Sequence, residues 1–278
     1  MAPKEAKSHA RNAEAPRTRT FGKIWKALGP GLITGAADDD PSGIATYSQA
    51  GAQFGFALTW TVFLTLPFMV AIQIISACIG WKTRSGLSRN IARQLPASAL
   101  YFLVALLVVA NTINIAADLA AMGQAVRLVV GGPALAYTLV FGVACLIAEV
   151  FVPYHRYAGY LKFLTMVLLV YVAAAFSVQI PWGTVLAATF APKLSLDSDY
   201  LLMVVAVFGT TISPYLFFWQ AAQEAEDSHL SHGRKYAAGS QPHGKFLGRI
   251  SVDTCVGMFF SNLIAFFIET DGVQPMLR

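Results

Sequence analysis

The sequence predicts an all-α integral membrane protein of about seven spans, and three features carry that expectation. Hydrophobic residues fill 56% of the 278 positions, charged residues only 13%, and mean hydropathy is +0.56. A soluble domain carries about a quarter charged residues. Whole segments are apolar all round rather than striped, the pattern of helices buried in lipid or in a bundle. The basic residues fall in the gaps between those segments, so the net charge of +5 and pI near 9.1 mark loops and not a nucleic-acid surface.

A span needs about 20 mostly apolar residues. Seven stretches qualify: Leu28–Ala52, Phe56–Trp81, Ala97–Val126, Ala134–Val152, Tyr160–Ile180, Tyr200–Ala222 and Ile250–Ile268. With the N-terminus in the cytoplasm, seventeen of the twenty Lys and Arg residues lie inside, and Arg127, Lys193 and Arg278 lie outside. That asymmetry predicts the orientation and an inner or plasma membrane location. Residues 1–26 read as a basic cytoplasmic tail with no signal-peptide h-region. Residues 27–268 read as the membrane domain, and 269–278 as a polar tail that anchors nothing.

Cys78, Cys145 and Cys255 are far apart in apolar runs, which suits small packed hydrophobes better than a disulfide or zinc framework. His229 and His232 fall in a polar connection beside Gly233, Arg234 and Lys235, expected to be a solvated loop. Glu149 and Asp253 lie near cytoplasmic span ends, where surface solvation suffices. No nucleophile–base pair occurs at membrane depth, so no enzyme and no cofactor are expected.

The informative residues are polar ones inside spans. A charge near the bilayer centre costs about 2.5–3.5 kcal/mol, so intramembrane acids are functional candidates. The first span holds Asp38-Asp39-Asp40-Pro41-Ser42-Gly43. In a continuous helix the three carboxylates would point about 100° apart, and one face could not shelter them. Pro41 disfavours α geometry at Asp40 and Gly43 tolerates unusual angles, which predicts a helix broken at mid-membrane. The competing arrangement starts the span after Pro41 and leaves the acids at the surface.

A second break is expected in the sixth span, where Gly209 and Pro214 bracket Thr210, Thr211, Ile212 and Ser213, with Tyr215 following. Two interrupted helices in corresponding positions of two halves point to the mid-membrane binding site of a transporter. In the third span Asn111, Asn114 and Asp118 share one helical face. That face is either a hydrogen-bonded seam or an ion or proton path lined by Asp118.

These residues resemble the Nramp family of proton-coupled divalent metal transporters. The run Asp40-Pro41-Ser42-Gly43 through Gln49-Ala50-Gly51-Ala52-Gln53-Phe54-Gly55 looks like that family's first-helix Asp-Pro-Gly-Asn signature and the segment after it. Ser213-Pro214-Tyr215 sits where the family has Met-Pro-His, and Asp118 where it has Asp-Leu-Ala-Glu. The resemblance implies a LeuT-type architecture of two inverted five-helix repeats, with a first repeat over about 27–180 and a partial second over about 199–268. It implies that Asp40 is the principal metal ligand, assisted by Asp39 and by the Gly43 and Ser213 positions, with Asp118 as proton relay. Pro41, Pro214, Gly209 and Tyr215 mark the helix breaks.

The departures shape the expected substrate. Gly43 replaces the family's asparagine, Ser213 its thioether ligand, Tyr215 its histidine and Ala121 its third-helix glutamate. Thioether sulfur favours soft metals, whereas carboxylate, hydroxyl, carbonyl and water suit Mg²⁺ or Mn²⁺. The pattern is similar to the Nramp-related magnesium transporters, so the expected partners are a hard divalent ion as substrate, protons and the lipid bilayer. Against a family of ten to twelve spans the chain reads as C-terminally truncated, with Asn114 lacking an assured partner. Alternatives are a LeuT-type carrier of a small organic solute and a seven-span receptor or sensor.

Overall fold

The computed structural model describes residues 35, 37–152, 165–234 and 243–273, and among them every regular element is helical. The helices are α1 (Pro41–Phe54), α2 (Trp60–Thr83), α3 (Leu87–Ala92), α4 (Ala97–Val130), α5 (Ala134–Phe151), α6 (Leu169–Ser177), α7 (Trp182–Phe190), α8 (Ser198–Thr211), α9 (Pro214–Arg234) and α10 (His243–Gly272). Single 3₁₀ turns at Gly55–Leu58 and Thr165–Leu168 lead into α2 and α6.

Among the described residues five helical stretches are long and apolar enough to cross a membrane: α2, α4, α5, the α8–α9 run Ser198–Glu226, and Ile250–Gly272. A sixth is the pair Thr165–Ser177 and Trp182–Phe190, bent by 114° at the break around Pro181. The predicted Leu28–Ala52 span begins outside the described residues, as does the predicted basic tail. Its described part is helical backbone at Gly35, Ala37 and Asp38, a bend at Asp39, and then the 14-residue α1. The predicted fifth span, Tyr160–Ile180, also begins outside them.

Local chemistry explains the turns. Proline at N1 of α1 needs no N–H and arrives with helical φ, so Pro41 starts a helix where it would have broken one. The α4–α5 turn uses Gly131 and Gly132 at φ 78° and 86° before Pro133, angles that a side chain rarely adopts.

The core lies where α1 crosses α8 and α10. Tyr47, Ala50, Leu58, Tyr200, Met203, Val207, Ile264, Ala265 and Ile268 form one buried cluster. Val62, Ala175, Ile180, Val185, Phe266 and Phe267 form a second. At the α1–α10 crossing the backbones touch: a Cβ on Gly51 would collide with the Glu269 carbonyl. Small residues at such crossings allow the close packing that associates helices in lipid. By contrast α5 buries no residue and α4 only Gly123, so both present apolar side chains outward.

Several expectations are corrected. Residues 269–272 are no loose polar tail: α10 runs through Gly272, and Glu269 and Thr270 are fully buried against α1. The glycine at position 51 permits that close approach. His229 and His232 belong to the backbone of α9, which continues to Arg234. Asp253 is buried, not solvated at the surface. Cys145 and Cys255 are exposed on outward helix faces, and only Cys78 is partly packed.

Candidate functional site

Both predicted breaks form, and the structure brings them together. Asp40 has extended backbone (φ −72°, ψ 168°) and caps α1. Its Oδ1 accepts from the Gly43 backbone N–H (2.8 Å) and from the Ser42 hydroxyl (2.7 Å). Such a cap satisfies N–H groups that the first helical turn leaves without partners. Gly43 is needed for closeness, since a Cβ there would stand 3.0 Å from the Asp38 carbonyl. Its place in the site is a donor to Asp40.

The other carboxylate oxygen of Asp40 faces two distant elements. Oδ2 accepts from Asn114 Nδ2 on α4 (2.9 Å) and from the Tyr215 hydroxyl on α9 (2.8 Å). Asn114 therefore has a partner after all. One turn along α4, Asp118 Oδ1 accepts from the Ser42 backbone N–H at 3.2 Å. The polar face read from Asn114 and Asp118 is thus a face toward the first break, as i,i+4 spacing allows. Asn111 is half-buried a turn earlier and is not among the residues bonded to Asp40.

The second break is shorter than predicted. Helix α8 stays intact through Gly209 to Thr211, leaves helical geometry at Ile212 (φ −104°, ψ 57°), and α9 restarts at Pro214. Gly209 is therefore no break point; a Cβ there would meet nothing within 4 Å. Ser213 is buried, and its hydroxyl donates to the Thr210 carbonyl (2.6 Å). Tyr215 lies in α9, and its contribution is the bond to Asp40 rather than a break. The two breaks are also joined directly, by a 2.8 Å bond between the Tyr47 and Thr211 hydroxyls.

Asp38 and Asp39 are almost fully buried. Asp38 Oδ2 accepts from the Ser261 hydroxyl on α10 (2.9 Å); Asp38 Oδ1 and both oxygens of Asp39 have no hydrogen-bond partner among the described residues. A narrow cleft beside the second break is lined by Met69, Gln73, Thr211, Ile212, Ser213 and Phe217. Gln73 Oε1 is buried there without a hydrogen-bond partner among the described residues. Sequence reading passed over Gln73 and Ser261, although a lone amide and a Ser-Asn pair inside apolar spans were visible signals. Among the described residues no three His, Cys, Asp or Glu side chains converge as a metal cluster. An ion here would draw on one or two carboxylates, hydroxyls, carbonyls and water.

Fold and site together define a polytopic helical membrane protein in which two interrupted helices converge on a half-buried carboxylate, Asp40. The chain belongs to the Nramp family: residues 31–270 match the family described as natural resistance-associated macrophage protein-like. It is 31% identical over 210 residues to a divalent metal cation transporter MntH of Verminephrobacter eiseniae, covering 73% of this chain and 46% of that protein. It is 30% identical over 236 residues to the MntH of Pectobacterium carotovorum, covering 80% and 54%. The fold is that of a manganese transporter of Eremococcus coleocola, with TM-score 0.73 at 17% identity, covering 94% of this chain and 54% of the other. The chain thus spans about half the length of the relatives it matches.

Proposed function

We propose that this chain carries the ion-binding half of a divalent metal cation transporter that takes hard ions, Mg²⁺ or Mn²⁺, at the junction of its two broken helices. The observation behind this reading is the Asp40 carboxylate, held at that junction by donors from α1, α4 and α9. With no ion, four donors compensate its charge. An arriving cation would displace the Oδ2 partners, Asn114 and Tyr215, while the cap at Oδ1 keeps the carboxylate aimed. Release of those two bonds would loosen α4 and α9 from α1, which couples occupancy of the site to helix movement. Alternating access is such a movement of one bundle about a fixed site.

The preference for hard ions follows from the donors at hand. Ser213 replaces a thioether, and Gly43 has no side chain to offer. Oxygen ligands and room for retained water suit Mg²⁺ and Mn²⁺ rather than soft metals. Asp118, tied to the same helix N-terminus through Ser42, is the candidate proton relay. The basic-residue asymmetry supports a cytoplasmic N-terminus. The direct test is Asp40→Asn with Mn²⁺ binding measured calorimetrically on the detergent-solubilised chain. Loss of the binding event that depends on the Asp40 carboxylate is expected; a titration identical to that of the wild type would remove Asp40 from the site.

A further inference from the structure

The triplet of aspartates is used unequally. Asp40 faces α4 and α9 and has a donor at every side. Asp38 turns to Ser261 of α10, and three of the four oxygens of Asp38 and its neighbour Asp39 have no partner among the described residues. The two residues are 1% and 4% exposed, so bulk solvent does not reach them. A buried acceptor left unmade loses its hydration and gains nothing back, and two adjacent buried carboxylates also repel each other. A cation held between them would relieve both costs.

We propose that Asp38, Asp39 and Ser261 form a second cation position, turned toward α10 and separate from the Asp40 carboxylate. It rests on the reading of the chain as a cation transporter and deepens it. A Cβ on Gly35 would collide with the Gly257 carbonyl, so the short helical segment before the break lies directly on α10. Ser261 lies one turn beyond Gly257 and aims its hydroxyl at Asp38. The donor set is oxygen only, with two formal negative charges, which matches one hard divalent ion. Two carboxylates and a hydroxyl leave coordination places for water or backbone carbonyls, as Mg²⁺ and Mn²⁺ accept. The transported ion thereby has two stations along the first break, one formed with α10 and one with α4 and α9.

The probe is Mn²⁺ alone, counted per purified 278-residue chain in detergent by the electron paramagnetic resonance signal of free ion. The wild-type chain should bind two. The double variant Asp38→Asn, Asp39→Asn should bind one, each single variant should lose at least tenfold affinity at one site, and Asp40→Asn should keep the station at Asp38 and Asp39. The asparagines are isosteric and remove buried charge, so the double variant should melt no lower than wild type without metal. Mn²⁺ should raise the melting midpoint of Asp40→Asn. If Asp40→Asn still binds two while the double variant binds one, the second station stands and only the Asp40 assignment falls. A double variant that binds as many Mn²⁺ as wild type overturns the proposal. So does a wild-type count of one that either Asp40→Asn or the double variant abolishes.

Discussion

Removing the Tyr215 hydroxyl should make the chain less stable and its ion site stronger. The hydroxyl donates to Asp40 Oδ2 at 2.8 Å, beside the Asn114 amide on the same oxygen. A hydrogen bond to a charged acceptor contributes about 1.5–3 kcal/mol. Tyr215→Phe keeps the ring and its packing, so the ion-free chain should lose at most that amount. A cation that reaches Oδ2 must displace the same donor, and in the variant this competition is gone. Since about 1.4 kcal/mol is tenfold in affinity, Mn²⁺ should bind roughly 10- to 150-fold more tightly. Calorimetric titration and the thermal midpoint, read on the same sample, test the two halves of the argument. A lower midpoint with unchanged or weaker Mn²⁺ binding would refute the competition at Oδ2. An unchanged midpoint would refute the bond.

Other substitutions probe the frame around the site. Gly51→Leu should cost about 1–3 kcal/mol or more, because its side chain meets the Glu269 carbonyl at the α1–α10 crossing; the readout is the denaturation midpoint in detergent, and wild-type stability would contradict that crossing. Tyr47→Phe should cost about 1 kcal/mol by taking the donor from Thr211, whose own hydroxyl is bonded to the Val207 carbonyl; chemical denaturation measures it, and no loss would mean the two breaks are not tied there. Ser213→Met should shift the Cd²⁺-to-Mg²⁺ affinity ratio toward Cd²⁺, because thioether sulfur favours soft metals; an unchanged ratio in competition binding would place Ser213 away from the ion.

The first break was legible because covalent chemistry dictates it. Proline after aspartate cannot continue a helix through Asp40, and three acids cannot share one lipid-sheltered face, so Asp38 to Gly43 carried their own explanation. The face of Asn114 and Asp118 was legible for a similar reason, since helical spacing alone puts them together. Gly209 misled because glycine is tolerated inside a helix, and nothing near it in space required a break. The tail after Ile268 misled because polar composition says nothing about what lies opposite. Glu269 and Thr270 are buried where α10 meets α1, and the close approach at the Glu269 carbonyl depends on Gly51, more than two hundred positions away.

By itself, then, the sequence determined that this chain is helical and membrane-bound, where its first helix interrupts, and that Asp40, Asn114 and Asp118 are polar residues inside apolar stretches. Periodicity, proline geometry and the cost of charge in lipid act over a few residues and need no partner. Only the tertiary structure decided how the three aspartates divide their work. Asp40 is saturated because α4 and α9 bring Asn114 and Tyr215 to it. Asp38 meets Ser261 because α10 crosses the segment before the break, and the oxygens of Asp39 have no hydrogen-bond partner among the described residues. Adjacent residues of one type differ only in what folds against them, and hydrogen bonds across more than seventy residues are set by helix packing.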